Sequence, residues 1–223
     1  MGEFVAQSRF LGGIAAPDVD AILAQATPRR FRAESIVIHQ GDPATELFLI
    51  TKGRARHFFA TPDGRKILLL WLPAGDIFGG AALLAERSTY KVSTEAVRDT
   101  TTLVWSRPTM MALADRYPRI RDNALWIASD YLDWYVAAHI ALNCHTAGQR
   151  LAGVLVSMAP LLGRAVPGGV ELDVTNDELA SAAHITSFTA SRLLSEWHRQ
   201  GTVIKRRGRV VLVAPDQLIR MTA

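Results

Sequence analysis

The chain has 223 residues, 49% of them hydrophobic and 21% charged, enough for one large domain or two modest ones and too apolar for a disordered tail. One cysteine, Cys144, excludes an intrachain disulfide, a four-thiolate iron–sulfur cluster and a cysteine-rich zinc site, and suits a reducing cytoplasm. The formal net charge of +4 is compatible with an anionic partner. No run approaches the ~18 apolar residues of a membrane span, and acidic Glu3 interrupts any basic-then-apolar signal pattern. A soluble cytoplasmic protein with no membrane contact is expected.

Pro17, with Asp18 and Asp20 around Val19, Ile22 and Leu23, predicts a short helix. From about residue 30 to 106 follow short β-type runs, "FRAESIVIH", "ELFLITKG", "ARHFFA", "KILLLWL", "YKVSTEA" and "TTLVW". The turn signals "QGDPA", "TPDGR" and "LPAGD" separate them at the spacing of an all-β barrel or jelly roll. Within this zone "GDIFGGAALLAERSTYKVSTEA" combines a Gly-Gly turn, a short apolar helix and an arginine just beyond, the parts of a phosphate cradle. Backbone N–H groups around Gly79, Gly80, Ala81 and Ala82 would face the anion.

The period then changes. From Pro118 to Cys144, Ile120, Ala124, Ile127, Tyr131, Trp134, Ala138 and Ala141 recur at steps of four and three, the seam of a long helix meeting a partner. A second apolar row, Leu125, Leu132, Tyr135 and Leu142, widens the face beyond what one small barrel covers, and points to a homodimer. Part of the stripe is expected to lie on the chain's own barrel.

Thr146 is an N-cap candidate for "AGQRLAGVLVSMA", "GRAVPGG" breaks that helix, and "VELDV" reads as a strand. In "TNDELASAAHITSFTASRLLSEWHRQG", Thr175 with Glu178 forms a capping box, Thr186 caps a second helix, and Gly201 ends it. Leu179, Ala180, Ile185, Ala190 and Leu193 have the spacing of two short helices packed across a tight turn. The turn residue is His184, one of the few non-glycine types that enter positive φ. Next, "VIKRRGRVVLV" reads as a β-hairpin with a tip of Lys205, Arg206, Arg207, Gly208 and Arg209. From Arg192 to Arg209 six basic residues face Glu196 alone, so phosphate contacts are expected here.

The segments "GDPATELFLITKGRARHF", "LPAGDIFGGAALL" and "LDVTNDELASAAHITSFTASRLLSEWHRQGTVIKRRGRVVL", in this order, resemble the CRP/FNR family of bacterial transcription regulators over essentially the whole length. The resemblance implies an α+β chain with three parts. These are an N-terminal effector-sensing β-roll of the jelly-roll, cyclic-nucleotide-binding-like kind over 1–116, a dimerisation helix over 117–145, and a winged helix-turn-helix over 146–223. It implies a non-enzymatic, homodimeric regulator bound to double-stranded DNA at a pseudo-palindromic operator, with RNA polymerase as a further partner. Thr175 and Thr186 join the DNA-binding set with Ser187, Phe188, Ser191 and Arg192 as positions on the recognition helix, beside the basic tip. The dimer would use Ile120, Ala124, Ile127, Tyr131, Trp134 and Ala138.

In cyclic-nucleotide members of the family a glutamate accepts the ribose hydroxyl and an arginine followed by a small hydroxyl residue neutralises the phosphate. Here Gly80 stands at the glutamate position. Arg87 and Ser88, followed by Thr89, reach the phosphate-binding position only if the loop is shortened by one residue. Cyclic AMP is therefore not expected as the ligand, and no cofactor is assigned. His39, His57, His139 and His145 are read as surface or core residues rather than haem ligands, and Cys144 as a buried small hydrophobe. Two other classes share features with the chain. A cupin enzyme would need a histidine where Phe78 stands, and a cyclic-nucleotide module without DNA binding would not carry the basic winged C-terminus.

Overall fold

The structure is a computed structural model that describes residues 8–222; Glu3 lies outside them. The chain separates into two units, Met1–Asp133 and Trp134–Ala223, so the helix expected as a segment of its own over 117–145 is divided between them.

In the first unit Pro17 sits in the first turn of helix α1 (Ala16–Leu23), which buries Val19 and Ile22. Eight strands follow: β1 (Thr27–Phe31), β2 (Ile36–Ile38), β3 (Glu46–Lys52), β4 (Arg54–Ala60), β5 (Lys66–Pro73), β6 (Ile77–Phe78), β7 (Ser93–Ala96) and β8 (Thr100–Ser106). They form two four-stranded sheets, β1-β8-β3-β6 and β2-β7-β4-β5, with every pairing antiparallel, the β-roll anticipated from the turn spacing. Alternation does the sorting. Leu47 and Leu49 of β3 and Trp105 of β8 point to the helices, where they join Phe10, Ile22, Met110, Leu113 and Ala114 in one core. The Trp105 indole N–H donates to the Ile22 carbonyl at 2.9 Å, so this large aromatic is buried without an orphaned donor.

Helix α2 (Arg107–Arg116) is capped by Ser106, whose hydroxyl accepts from the Thr109 amide. Helix α3 (Arg119–Cys144) matches the long helix expected. The face expected to meet a second chain does something else at its N-terminal end. Ile120 and Ile127 are buried in the core of their own unit, and Ala124 and Tyr131 pack against it. Buried Asn123 on the same face donates to the carbonyls of Phe10 and Gly12, both at 2.9 Å. Burial of two isoleucines contributes about 1.5–3 kcal/mol each to the unit's own stability. These positions are thus not free for a dimer seam. Trp134 and Ala138, further along, are half-buried.

In the second unit Thr146 caps α4 (Ala147–Leu162) in a reciprocal box with Gln149. The "GRAVPGG" segment holds a strand that the sequence reading treated as turn: β9 (Arg164–Val166) pairs with β10 (Gly169–Leu172). Helices α5 (Asn176–Ala182) and α6 (Ser187–Arg199) follow, then β11 (Val203–Arg206), β12 (Arg209–Leu212) and α7 (Pro215–Thr222). The sheet order is β11-β12-β10-β9. Leu179, Ala180, Ala190, Leu194 and Trp197 are the buried residues of the helix pair. Leu193, expected inside, lies at the edge because the burial stripe of α6 falls one residue later.

Candidate nucleic-acid interface

Helices α5 and α6 begin on the expected caps. Thr175 accepts from the Glu178 amide at 3.2 Å while the Glu178 carboxylate accepts from the Thr175 amide at 2.7 Å. The Thr186 hydroxyl accepts from the Thr189 amide at 3.1 Å. Between them His184 has φ 51°, the left-handed conformation expected of the turn residue. The turn is braced from α4. Arg150 donates to the Ala183 carbonyl at 2.9 Å, to the His145 carbonyl at 2.8 Å and to the His184 carbonyl at 3.4 Å. Burial, reinforced by the Arg150 charge, pushes the His184 imidazole below its usual pKa and favours its neutral form.

Of the α6 positions that the family resemblance implies, Ser187, Phe188 and Arg192 are exposed and Ser191 is partly buried. Phe188 is 79% exposed, and Ser187 and Arg192 are exposed beside it. A phenylalanine that open is not a core residue, and its flat apolar face suits a thymine methyl, while Arg192 has the fork that guanine O6 and N7 accept. Ser187 is less available than the sequence suggested, because its hydroxyl donates to Asp177 Oδ1 at 2.5 Å. Ser191 accepts from Lys205 Nζ at 3.4 Å.

The basic hairpin departs from expectation in detail. Its tip is Arg207 and Gly208 alone, and the four cations have different surroundings. Lys205 is not at the tip; its ammonium lies on α6, donating to Ser195 Oγ at 3.1 Å as well as to Ser191. Arg206 and Arg209 reach Glu171 of β10, each at 3.4 Å. Arg207 makes no ion pair among the described residues. Sequence reasoning missed Glu171, Arg150 and Asp177, which reach Arg206, Ala183 and Ser187 across 35, 33 and 10 residues. The signal for Glu171 was a charge within the apolar run "VELDV".

The β-roll shows a similar mixture. Gly79 has φ 81°, and a side chain there would meet the Glu46 carbonyl at 2.6 Å, so glycine is required. Gly80 to Leu83 form a single 3₁₀ turn with Ala82 buried. The Ala82 N–H, expected to face an anion, donates to the Gly79 carbonyl at 3.0 Å. Arg87 is exposed, Ser88 and Thr89 are partly buried, and the Ser88 carbonyl accepts from the Ala44 amide at 2.9 Å. The arginine that does hold this loop is Arg107, which donates to the carbonyls of Leu84 and Ala85 at 2.7 and 2.8 Å.

Inside the roll sits His57. Its Nδ1 is 2.9 Å from Thr94 Oγ1, and its ring meets Phe78 and Tyr131 edge-on with centroids 6.5 and 6.4 Å away. Burial drives its pKa down to about 4, against a smaller opposing effect of the Ser93 backbone, so the imidazole is neutral at pH 7. Buried Glu95, beside it on β7, is paired with Arg56 at 2.8 Å and Lys66 at 3.3 Å. No group of three or more metal-ligating side chains occurs among the described residues, and Cys144, expected to be buried, is exposed at the end of α3.

A β-roll with a cyclic-nucleotide-type cassette, followed by a braced helix-turn-helix with a basic wing, defines a DNA-binding regulator. Residues 28–117 match the cyclic nucleotide-binding domain and residues 149–221 the Crp-like helix-turn-helix domain. The chain belongs to the CRP/FNR family of DNA-binding transcription regulators. It is 29% identical over 193 residues, 86% of each chain, to the "Cyclic AMP receptor protein" of Thermus thermophilus. It is 26% identical over 221 residues to the nitrogen fixation regulation protein FixK of Azorhizobium caulinodans, covering 96% of this chain and 87% of that one. The solved structure of FixK2 from Bradyrhizobium japonicum shares the fold, with a TM-score of 0.78 and 23% identity over 89% of this chain and 98% of that one. The Crp-like match sets aside the reading as a cyclic-nucleotide module without DNA binding.

Proposed function

We propose that this regulator works as a homodimer in the bacterial cytoplasm, binds a pseudo-palindromic operator, engages RNA polymerase there, and answers to an effector less polar than cyclic AMP. The observation that carries the DNA-binding part is the exposed pair Phe188 and Arg192 at the N-terminal half of α6, with Lys205 of the wing seated on Ser191 and Ser195 of the same helix. In this reading Arg192 and Phe188 read base edges, and Arg206, Arg207 and Arg209 meet phosphates. The dimer reading is supported by the row on α3 that leaves Leu125, Trp126, Leu132, Val136 and Ile140 exposed, Leu125 by 72% and Trp126 by 70%. The effector reading rests on Gly80, which offers no carboxylate to a ribose, and on the neutral, ring-lined surroundings of His57.

Two titrations test the proposal. Arg192→Ala should cost about 1–3 kcal/mol on the selected duplex and relax one base pair per half-site, whereas Arg207→Ala should weaken all duplexes alike and flatten the salt dependence. An unchanged consensus for Arg192→Ala would count against this assignment of α6. Calorimetry with cyclic AMP should give no micromolar binding; micromolar binding abolished by Arg87→Ala would reinstate the phosphate cradle.

A further inference from the structure

Glu171 lies in the strand β10 with its side chain 4% exposed, while the three arginines around it are 49–71% exposed. Arg164 comes from β9 at 2.6 Å, Arg206 from β11 and Arg209 from β12, both at 3.4 Å. One carboxylate thus gathers cations from the three other strands of its sheet. A buried carboxylate is tolerated only when its charge is matched and its lone pairs are occupied, and three guanidinium groups do both. Their hydrogen bonds and charges, the Arg164 contact foremost, hold the carboxyl below its ordinary pKa, so it is ionised at neutral pH.

The consequence falls on the wing. Of the four basic residues expected to meet phosphates, Lys205 is tied to α6 and two are tied to Glu171, which leaves Arg207 as the cation without an ion pair among the described residues. Long arginine side chains lose conformational freedom when they bind, and those held in place beforehand lose less. A carboxylate beneath them also subtracts charge from the surface that faces the DNA, and sequence-blind attraction scales with that charge.

We propose that Glu171 is a positioning residue for DNA binding: it aims Arg206 and Arg209 from the sheet and lowers the wing's effective charge, so that contact with phosphates does not override base reading by α6. This rests on the reading that the wing meets phosphates. The test uses the full chain, with a duplex that the wild type selects from a random library and a scrambled duplex of the same composition. For Glu171→Gln the scrambled duplex should bind several-fold more tightly. The slope of log affinity against log salt should steepen by up to about 0.9, and the preference for the selected duplex should shrink. Glu171→Asp, which keeps the charge, should restore the wild-type slope. Wild-type slope and preference in Glu171→Gln would overturn the inference. Arg206→Ala separates the two levels. If it flattens the slope while Glu171→Gln changes nothing, the inference alone fails; if it too changes nothing, the phosphate reading fails and takes the inference with it. Because an amide under three guanidinium groups can unfold the sheet, the unaltered chain supplies a second test. The guanidinium Nε–H relaxation of Arg206 and Arg209 should report restricted motion relative to Arg207, and equal mobility of all three would overturn the proposal.

Discussion

His57 and Asp76 put two oppositely directed proton linkages into one roll. His57 titrates near 6.5 when unfolded and about 4 when folded, because burial disfavours its cation. Between those values the unfolded chain binds a proton that the folded chain does not, so stability falls by up to about 3 kcal/mol as pH drops from 6.5 to 4. Asp76 runs the other way. Burial raises its carboxyl from 3.8 to about 6, with Arg9 opposing, so the folded chain holds the extra proton and stability is lost as pH rises from 3.8 through 6. Asp76→Asn should therefore stabilise the protein at pH 7 and lose that advantage by pH 4. Thermal unfolding across this range checks it, and an offset constant with pH would count against the buried-carboxyl account. His184 gives a second residue-level expectation. At φ 51° it carries a steric cost that glycine would remove, so His184→Gly should be as stable as the wild type or gain up to about 1 kcal/mol. His184→Val, β-branched in that conformation, should lose at least about 1 kcal/mol by denaturant midpoint.

At the scale of elements, α3 shows how a periodic pattern fixes a helix without fixing which part of its stripe meets the chain's own core. Two apolar rows run along it, and the four-and-three spacing of Ile120, Ala124, Ile127 and Tyr131 fits a partner seam as well as it fits a core stripe. The choice is made by Phe10, Met110 and Leu113, residues distant in sequence that cover the first row. The row left over is the one to test. Trp126→Asp with Leu132→Asp should give a folded monomer by sedimentation, since both side chains are exposed in the single chain. Ile127→Asp should lose helical signal instead, because it buries an unpaired charge in the roll's own core. If the Trp126 and Leu132 double variant remains dimeric, the interface lies on another face. The helix-turn-helix was legible for the opposite reason. Its caps, its left-handed turn and its closing Gly201 are decided within three or four residues, where sequence speaks directly. Glu171 and Arg206 are joined across 35 residues because β12 pairs with both of their strands, which no local spacing announces.

For the whole molecule, the formal net charge of +4 matters through its placement. Cations cluster after Arg192, and Glu171, Lys205 and the serines of α6 divide them into those held in the protein and those left to a partner. The order of roll, long helix and winged helix-turn-helix was readable because each part has its own period: two in the strands, mixed steps of four and three in the helix, and capped short helices at the end. The effector cassette was not readable to the same depth. Its chemistry depends on which N–H groups are already used and on Arg107 reaching back to Leu84 and Ala85. Binding of the proposed homodimer to its operator requires two copies of α6 to meet one duplex from the same side. Selection of the wild-type chain on a random duplex library, followed by footprinting, tests this most directly. The expected result is an inverted repeat whose half-sites are centred about one helical turn, ~34 Å, apart, protected as a unit. Enrichment of a single asymmetric site bound by one chain, or no enrichment even at low salt, would contradict it.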